Sequence, residues 1–175
     1  IEKFLEAGAD KVSINSAAVE NIDFIHQVSR VFGSSTITCL VEVIKIDKKY
    51  FITKENGREI VKISPFKWVK KLENNGAGEI LLTSINQEGT KEGFDINLTN
   101  KISKLVKIPV IAHGGAGTFE DVYNVINKTN ISGVAISSLF HYDTCSKFNF
   151  KKKIIANTHF LNSKKKIKSQ NLLKK

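Results

Sequence analysis

A single carboxylate set in an apolar, β-branched run is the first residue of this sequence that invites a chemical role. Thr36 to Ile44 reads as a strand of Thr, Ile, Cys, Leu and Val around Glu42, and alternation puts Thr38, Leu40 and Glu42 on one face. A packed interior rarely holds an unpaired carboxylate, because the charged form loses hydration that it cannot replace. Glu42 is therefore a candidate general acid/base. The competing account is an ion pair with a neighbouring lysine such as Lys45.

A second constellation suits anions. His113-Gly114-Gly115-Ala116-Gly117-Thr118 links a strand to a helix. Glycines allow close backbone approach, and N–H groups at a helix start attract negative charge. The small hydroxyls Ser137 and Ser138 end the next strand. Gly114, Gly115, Ser137 and Ser138 thus make a candidate phosphate cradle, although tight strand–helix packing also accounts for such glycines. Asn15-Ser16 offers small polar groups ahead of another helix, as an anion contact or as a plain N-cap. Lys11 and Glu79 both begin strands, so they belong to the opposite mouth of the sheet, where a structural salt bridge is the alternative to function.

These residues need a scaffold, and the chain supplies a regular one. Strands are expected at 11–15, 36–44, 79–85, 109–113 and 133–140. Helices are expected at 19–32, from Ser64-Pro65 to Asn75-Gly76, and at 96–106 and 119–126, with Ser as N-cap and Pro at the first position of the second. Asp47 to Glu59, with Asn56-Gly57 inside it, reads as a hairpin excursion. Strand–helix alternation with continuous apolar strands implies a parallel sheet. Two α/β architectures satisfy it, a doubly wound sheet or part of a (β/α)₈ TIM barrel. In both, chemistry gathers at the C-terminal strand ends. A full barrel takes roughly 250 residues, so the barrel reading expects roughly 80 more in front. Consistent with that expectation, the chain opens inside a helical pattern, with Ile1, Phe4 and Leu5 ahead of Gly8.

Composition narrows the class. Of 175 residues, 41% are hydrophobic and 25% charged, which fits one folded unit rather than a disordered chain. No apolar run reaches the roughly 18 residues of a membrane span, and no signal peptide is evident, so no membrane association is expected. Cys39 and Cys145 are too few and too far apart for a disulfide framework or a zinc site. No metal or cofactor is expected, and a reducing cytoplasm fits. The formal charge of +10 gathers at the C-terminal end, where ten lysines accompany one acid from Asp143 onward. Residues 1–160 are expected to form the partial barrel and 161–175 a lysine-rich tail. No aromatic platform interleaves those lysines, so nucleic acid is not the expected partner.

Taken together, these strings resemble the cyclase subunit of imidazole glycerol phosphate synthase, the HisF family. The resemblance runs from about Leu5 to about Tyr142. It rests on Ala9-Asp10-Lys11-Val12-Ser13-Ile14-Asn15, on Gly76-Ala77-Gly78-Glu79-Ile80-Leu81-Leu82-Thr83-Ser84-Ile85, on Gly89-Thr90 and Gly93-Phe94-Asp95, and on Gly114-Gly115-Ala116-Gly117. It implies a TIM barrel represented here by strands 4 to 8, without its first three. It implies a lyase of histidine biosynthesis that uses ammonia from a glutaminase partner, forming a heterodimer. The ammonia closes an imidazole ring on a bis-phosphorylated ribulosyl-formimino aminoimidazole carboxamide nucleotide. By position, Asn15 and Ser16 would hold one phosphate and Gly114, Gly115, Ser137 and Ser138 the other. Thr83 would line the site, and Lys11 and Glu79 would belong to a charged ammonia gate.

Three departures stand out. The family's second catalytic aspartate falls on Glu42, about one methylene longer, and a misplacement of roughly 1 Å can cost about 10²-fold in rate. The family's Ser-Ile-Asp-Arg-Asp-Gly is Ser84-Ile85-Asn86-Gln87-Glu88-Gly89 here, and His113 replaces a small residue. Two other functions therefore stay open. One is a paralogue that routes ammonia to sugar amidation in surface-polysaccharide biosynthesis. The other is a non-catalytic scaffold that docks a glutaminase.

Overall fold

The structure, a computed structural model, describes residues 1–137 and Leu139. Ile1–Ile136 form one compact unit, and Ser137 and Leu139 belong to the next. The expected boundary between 160 and 161 lies outside the described residues.

Within the first unit the elements follow the expected alternation. After α1 (Glu2–Glu6) come β1 (Val12–Ile14), α2 (Ser16–Glu20), α3 (Asp23–Phe32), β2 (Ile37–Ile46), β3 (Lys49–Lys54) and β4 (Glu59–Val61). Then follow α4 (Pro65–Asn74), β5 (Glu79–Ser84), α5 (Ile96–Leu105), β6 (Val110–His113), α6 (Phe119–Lys128) and β7 (Gly133–Ala135). The helix expected over 19–32 is two helices. Asn21 is extended, with φ −143° and ψ 101°, and its Oδ1 accepts the Asp23 N–H at 3.1 Å. A short polar side chain competing for backbone donors breaks a helix at such a point.

The hairpin excursion is present and larger than expected. β2 runs on to Ile46 and turns back through Asp47 and Lys48, both with positive φ, the conformation whose twist matches a two-residue hairpin. β3 pairs antiparallel with β2 and β4 with β3. The second turn, Glu55-Asn56-Gly57, also has positive φ at all three residues.

Strand order decides between the two architectures. β1 pairs parallel with β2, β2 with β5, β5 with β6 and β6 with β7. Each parallel strand therefore lies beside its predecessor. A doubly wound sheet reverses direction at a switch point, and among the described residues no reversal occurs. Stepping one way with right-handed crossovers puts every helix on one face, which is the wall of a barrel. The core agrees: Ile37, Cys39, Val41 and Val43 of β2 and Ile80 and Leu82 of β5 pack with Ile25, Trp68, Leu72, Leu98 and Ile102 of the helices.

The opposite, inner face is layered by the register. Ser13, Thr38 and Glu79 stand level at the N-terminal mouth. Leu40, Leu81 and Ile111 form an apolar layer above them. Glu42, Thr83, His113 and Ala135 make the top row, at the C-terminal ends of the strands. Among the described residues no helix is long and apolar enough to cross a membrane.

Candidate functional site

The top row holds the chemistry. Glu42 is buried, with 6% of its surface exposed, and one of its oxygens is held by two donors. Asn15 Nδ2 donates to Glu42 Oε2 at 2.7 Å and the Gly57 N–H donates to the same oxygen at 3.1 Å. Burial pushes the Glu42 carboxyl above its ordinary range, the Gly57 and Asn15 donors offset part of that rise, and the Glu88 charge adds to it. A carboxyl shifted upward at a strand end suits proton transfer near neutrality.

The ion pair weighed from sequence is not made. Lys45 is exposed. Its backbone N–H is taken by Asn86 Oδ1 at 2.7 Å, and its Nζ lies 5.6 Å from the centre of the Tyr50 ring. Three residues past Glu42 on the strand, it faces the other side of the sheet.

Asn15 and Ser16 have defined partners. Asn15 makes no side-chain cap on α2, so the plain N-cap account fails and its amide serves Glu42 instead. Ser16 Oγ accepts the Glu55 N–H at 3.1 Å, which leaves its own proton to donate. The Glu55–Ser16 and Gly57–Glu42 contacts bring the Glu55–Gly57 turn over the ends of β1 and β2. Residue spacing could flag Asn56-Gly57 as a turn, but its reach to a carboxylate 15 positions earlier left no mark in the sequence.

Thr83, buried beside Glu42 in register, shares a 3.0 Å hydrogen bond with His113 Nδ1. The row therefore presents a carboxyl, a hydroxyl and an imidazole on adjacent strands. His113 is half-buried and opens the glycine turn.

That turn is shaped by packing as well as by any anion. Gly114 and Gly115 have φ of 92° and 103°. A Cβ on Gly115 would collide with the Gly93 carbonyl, and one on Gly117 with the Lys91 carbonyl. The Gly93 N–H also donates to the Gly115 carbonyl at 2.7 Å. The expectation of free donors at the helix start is corrected here. Asp121 Oδ2 accepts the N–H groups of Gly117 at 3.2 Å and Thr118 at 2.8 Å in a capping box. Asp121 thus occupies two of the donors just ahead of α6. Ser137 is exposed and lies in the second unit, while Ser138 is outside the described residues.

At the other mouth, Lys11 Nζ pairs with Glu79 Oε2 at 2.9 Å, and Thr38 Oγ1 donates to Glu79 Oε1 at 2.9 Å. The two residues read as a pair from sequence are indeed one. Four residue steps along β2, from Thr38 to Glu42, separate the two rows by about 13 Å.

The sequence is similar to those of known proteins over most of its length. The family model described as histidine biosynthesis protein matches residues 1–146. The imidazole glycerol phosphate synthase subunit HisF of Natranaerobius thermophilus is 45% identical over 146 residues, covering 83% of this chain and 58% of that protein. The subunit of the same name from Lactococcus lactis subsp. cremoris is 42% identical over 162 residues, 89% of this chain and 61% of its own length. That of Hydrogenobaculum sp. is 46% identical over 147 residues, with 83% and 58% covered. The chain thus spans less than two thirds of the length of these relatives.

Proposed function

This chain belongs to the histidine biosynthesis protein family, and on that premise we propose that it is the cyclase part of an imidazole glycerol phosphate synthase. In this reading ammonia from a glutaminase partner closes the imidazole ring on the bis-phosphorylated nucleotide. The products are imidazole glycerol phosphate and aminoimidazole carboxamide ribotide. Glu42 exchanges the proton, with Asn15 and Gly57 fixing one oxygen so that the other faces the reacting atoms. Gly114 and Gly115 meet one phosphate through their backbone, and the resemblance alone assigns Ser137 and Ser138 to it. Ser16 donates its hydroxyl proton to the other phosphate, beside Asn15, and Thr83 lines the floor. Lys11 and Glu79 admit ammonia at the N-terminal mouth, and the layer of Leu40, Leu81 and Ile111 gives it a dry path. No cofactor takes part.

The observation that carries this reading is a buried carboxyl without a cationic partner among the described residues, level with Thr83 and His113 at the strand ends. Burying a charge costs free energy that folding alone does not require. The test supplies ammonium salt and the bis-phosphorylated nucleotide to the chain fused behind the N-terminal part of the Natranaerobius relative. Turnover that vanishes in Glu42→Gln supports the proposal. Absence of both turnover and nucleotide binding rejects it.

One set of observations favours a second reading. Glu42 is longer than the family's aspartate, Asn86 is spent on the β2 backbone at Lys45, and His113 adds a ring to the row. Tight nucleotide binding without turnover would favour the paralogue that routes ammonia to sugar amidation.

A further inference from the structure

Among the described residues, two sets of lysines contrast. Lys11, Lys54 and Lys70 each meet a carboxylate. Six others, Lys45, Lys48, Lys49, Lys62, Lys67 and Lys101, surround one cleft of about 830 Å³, and none of them forms an ion pair with a described residue. The β2–β3 hairpin forms one wall, the segment 62–64 and the first turn of α4 the back, and the start of α5 the other wall.

No acid lines the cleft. Asp95, bonded to the lining Tyr50, is already satisfied: its Oδ1 caps α5 through the Leu98 N–H at 2.9 Å, and its Oδ2 accepts the Tyr50 hydroxyl at 2.9 Å. Asp47 precedes Lys48 in the β2–β3 turn and is exposed. Tyr50 itself stays neutral, because burial and then Asp95 push its hydroxyl up to about 12. Like charges brought together around a concave surface raise the local potential and concentrate counter-ions there. Aromatic surface lines the same space. Tyr50 and Phe66 meet edge to face with centroids 6.1 Å apart.

The volume is that of a site for a small molecule rather than for a single ion. One phosphate would leave most of the six ammonium groups without a partner. We propose that this cleft binds a nucleoside triphosphate, its phosphates among the lysines and its base against the aromatic wall. The site is separate from the row of Glu42 and does not depend on the cyclase reading.

Calorimetric titration of the 175-residue chain with ATP tests it. Binding is expected, weakening as sodium chloride is added because the exposed charges are screened. Lys49→Gln/Lys62→Gln/Lys101→Gln should weaken it about tenfold or more, since each exposed ion pair is individually modest. The melting curve should not change, because all three side chains are exposed. Lys164→Gln/Lys165→Gln/Lys166→Gln should bind ATP as the parent chain does. No ATP binding at millimolar concentration overturns the proposal. So does an undiminished affinity in the cleft variant, or a loss confined to the tail variant. Adenosine bound as tightly as ATP overturns it too, as does a single-stranded oligonucleotide held where ATP is not.

Discussion

The Asn15 side-chain amide donates a 2.7 Å hydrogen bond to Glu42 Oε2, tying the end of β1 to the end of β2 at the C-terminal mouth. The Gly57 N–H shares that oxygen, so Oε1 is the atom at which a proton can come and go. The arrangement stabilises the anion less than burial penalises it, and the net shift of the carboxyl is upward.

Glu42→Gln separates activity from stability. A general acid/base typically contributes about 10²–10⁴-fold, so turnover of the fused protein should fall by that order. The folded carboxyl lies above its unfolded value, so the folded state favours the protonated form. That contribution is fully present below the unfolded value and is lost as pH rises through the folded one. The parent chain should therefore lose stability relative to Glu42→Gln as pH rises above the ordinary glutamate value of about 4.3. Thermal melts across that rise check it, and a difference independent of pH would refute the burial account.

Cys39 should be silent towards thiol reagents in the native chain. It is fully buried on the helix side of β2, and burial pushes its thiol up to about 12. Only the thiolate reacts. In a Cys145→Ser chain, labelling at about pH 8 should await unfolding by denaturant. Rapid labelling without denaturant would mean that the helix layer opens readily around Cys39.

Much of this architecture was legible because period and punctuation agreed. Ser64-Pro65 opens α4 and Asn75 follows it, and Asp95 and Thr118 cap the next two helices. These signals are local, so residue order carries them. The break at Asn21 was hidden because Val19, Ile22, Ile25 and Val28 keep helical spacing across it. Alternation identified Glu42 and its face, and strand starts identified Lys11 and Glu79. What local patterns could not supply was long-range pairing. The choice between Lys45 and Asn15 as the partner of Glu42 rests on backbone direction and on a turn 15 residues away. The role of Asp121 was missed for the opposite reason. Thr118 and Asp121 have the spacing of a capping box, a local signal that the glycine-rich turn before them masks.

The glycine turn gives a graded test of packing. Gly115→Ala brings a Cβ onto the Gly93 carbonyl at a φ of 103°, combining overpacking with backbone strain. The cost should be roughly 3 kcal/mol. Gly89→Ala also has positive φ, but its Cβ would meet nothing within 4 Å, so strain alone applies, about 1 kcal/mol. Urea denaturation of both variants reads the difference. Equal losses would show that the turn can shift away from the β5–α5 loop.

At the far mouth, Lys11→Met asks whether the pair with Glu79 is structural or is a gate. Lys11 is about half exposed, with 47% of its side chain accessible, and such a pair contributes no more than about 1 kcal/mol. Thr38 also remains bonded to Glu79 without it. A purely structural pair predicts a small loss of stability and nothing else. A gate predicts that glutamine-supported turnover with the glutaminase partner changes severalfold, while turnover on excess ammonium salt is kept. The two rates, measured on the fused protein beside a melting curve, decide between them. If both rates fall together in proportion to folded protein, the pair is a brace and ammonia enters by another route.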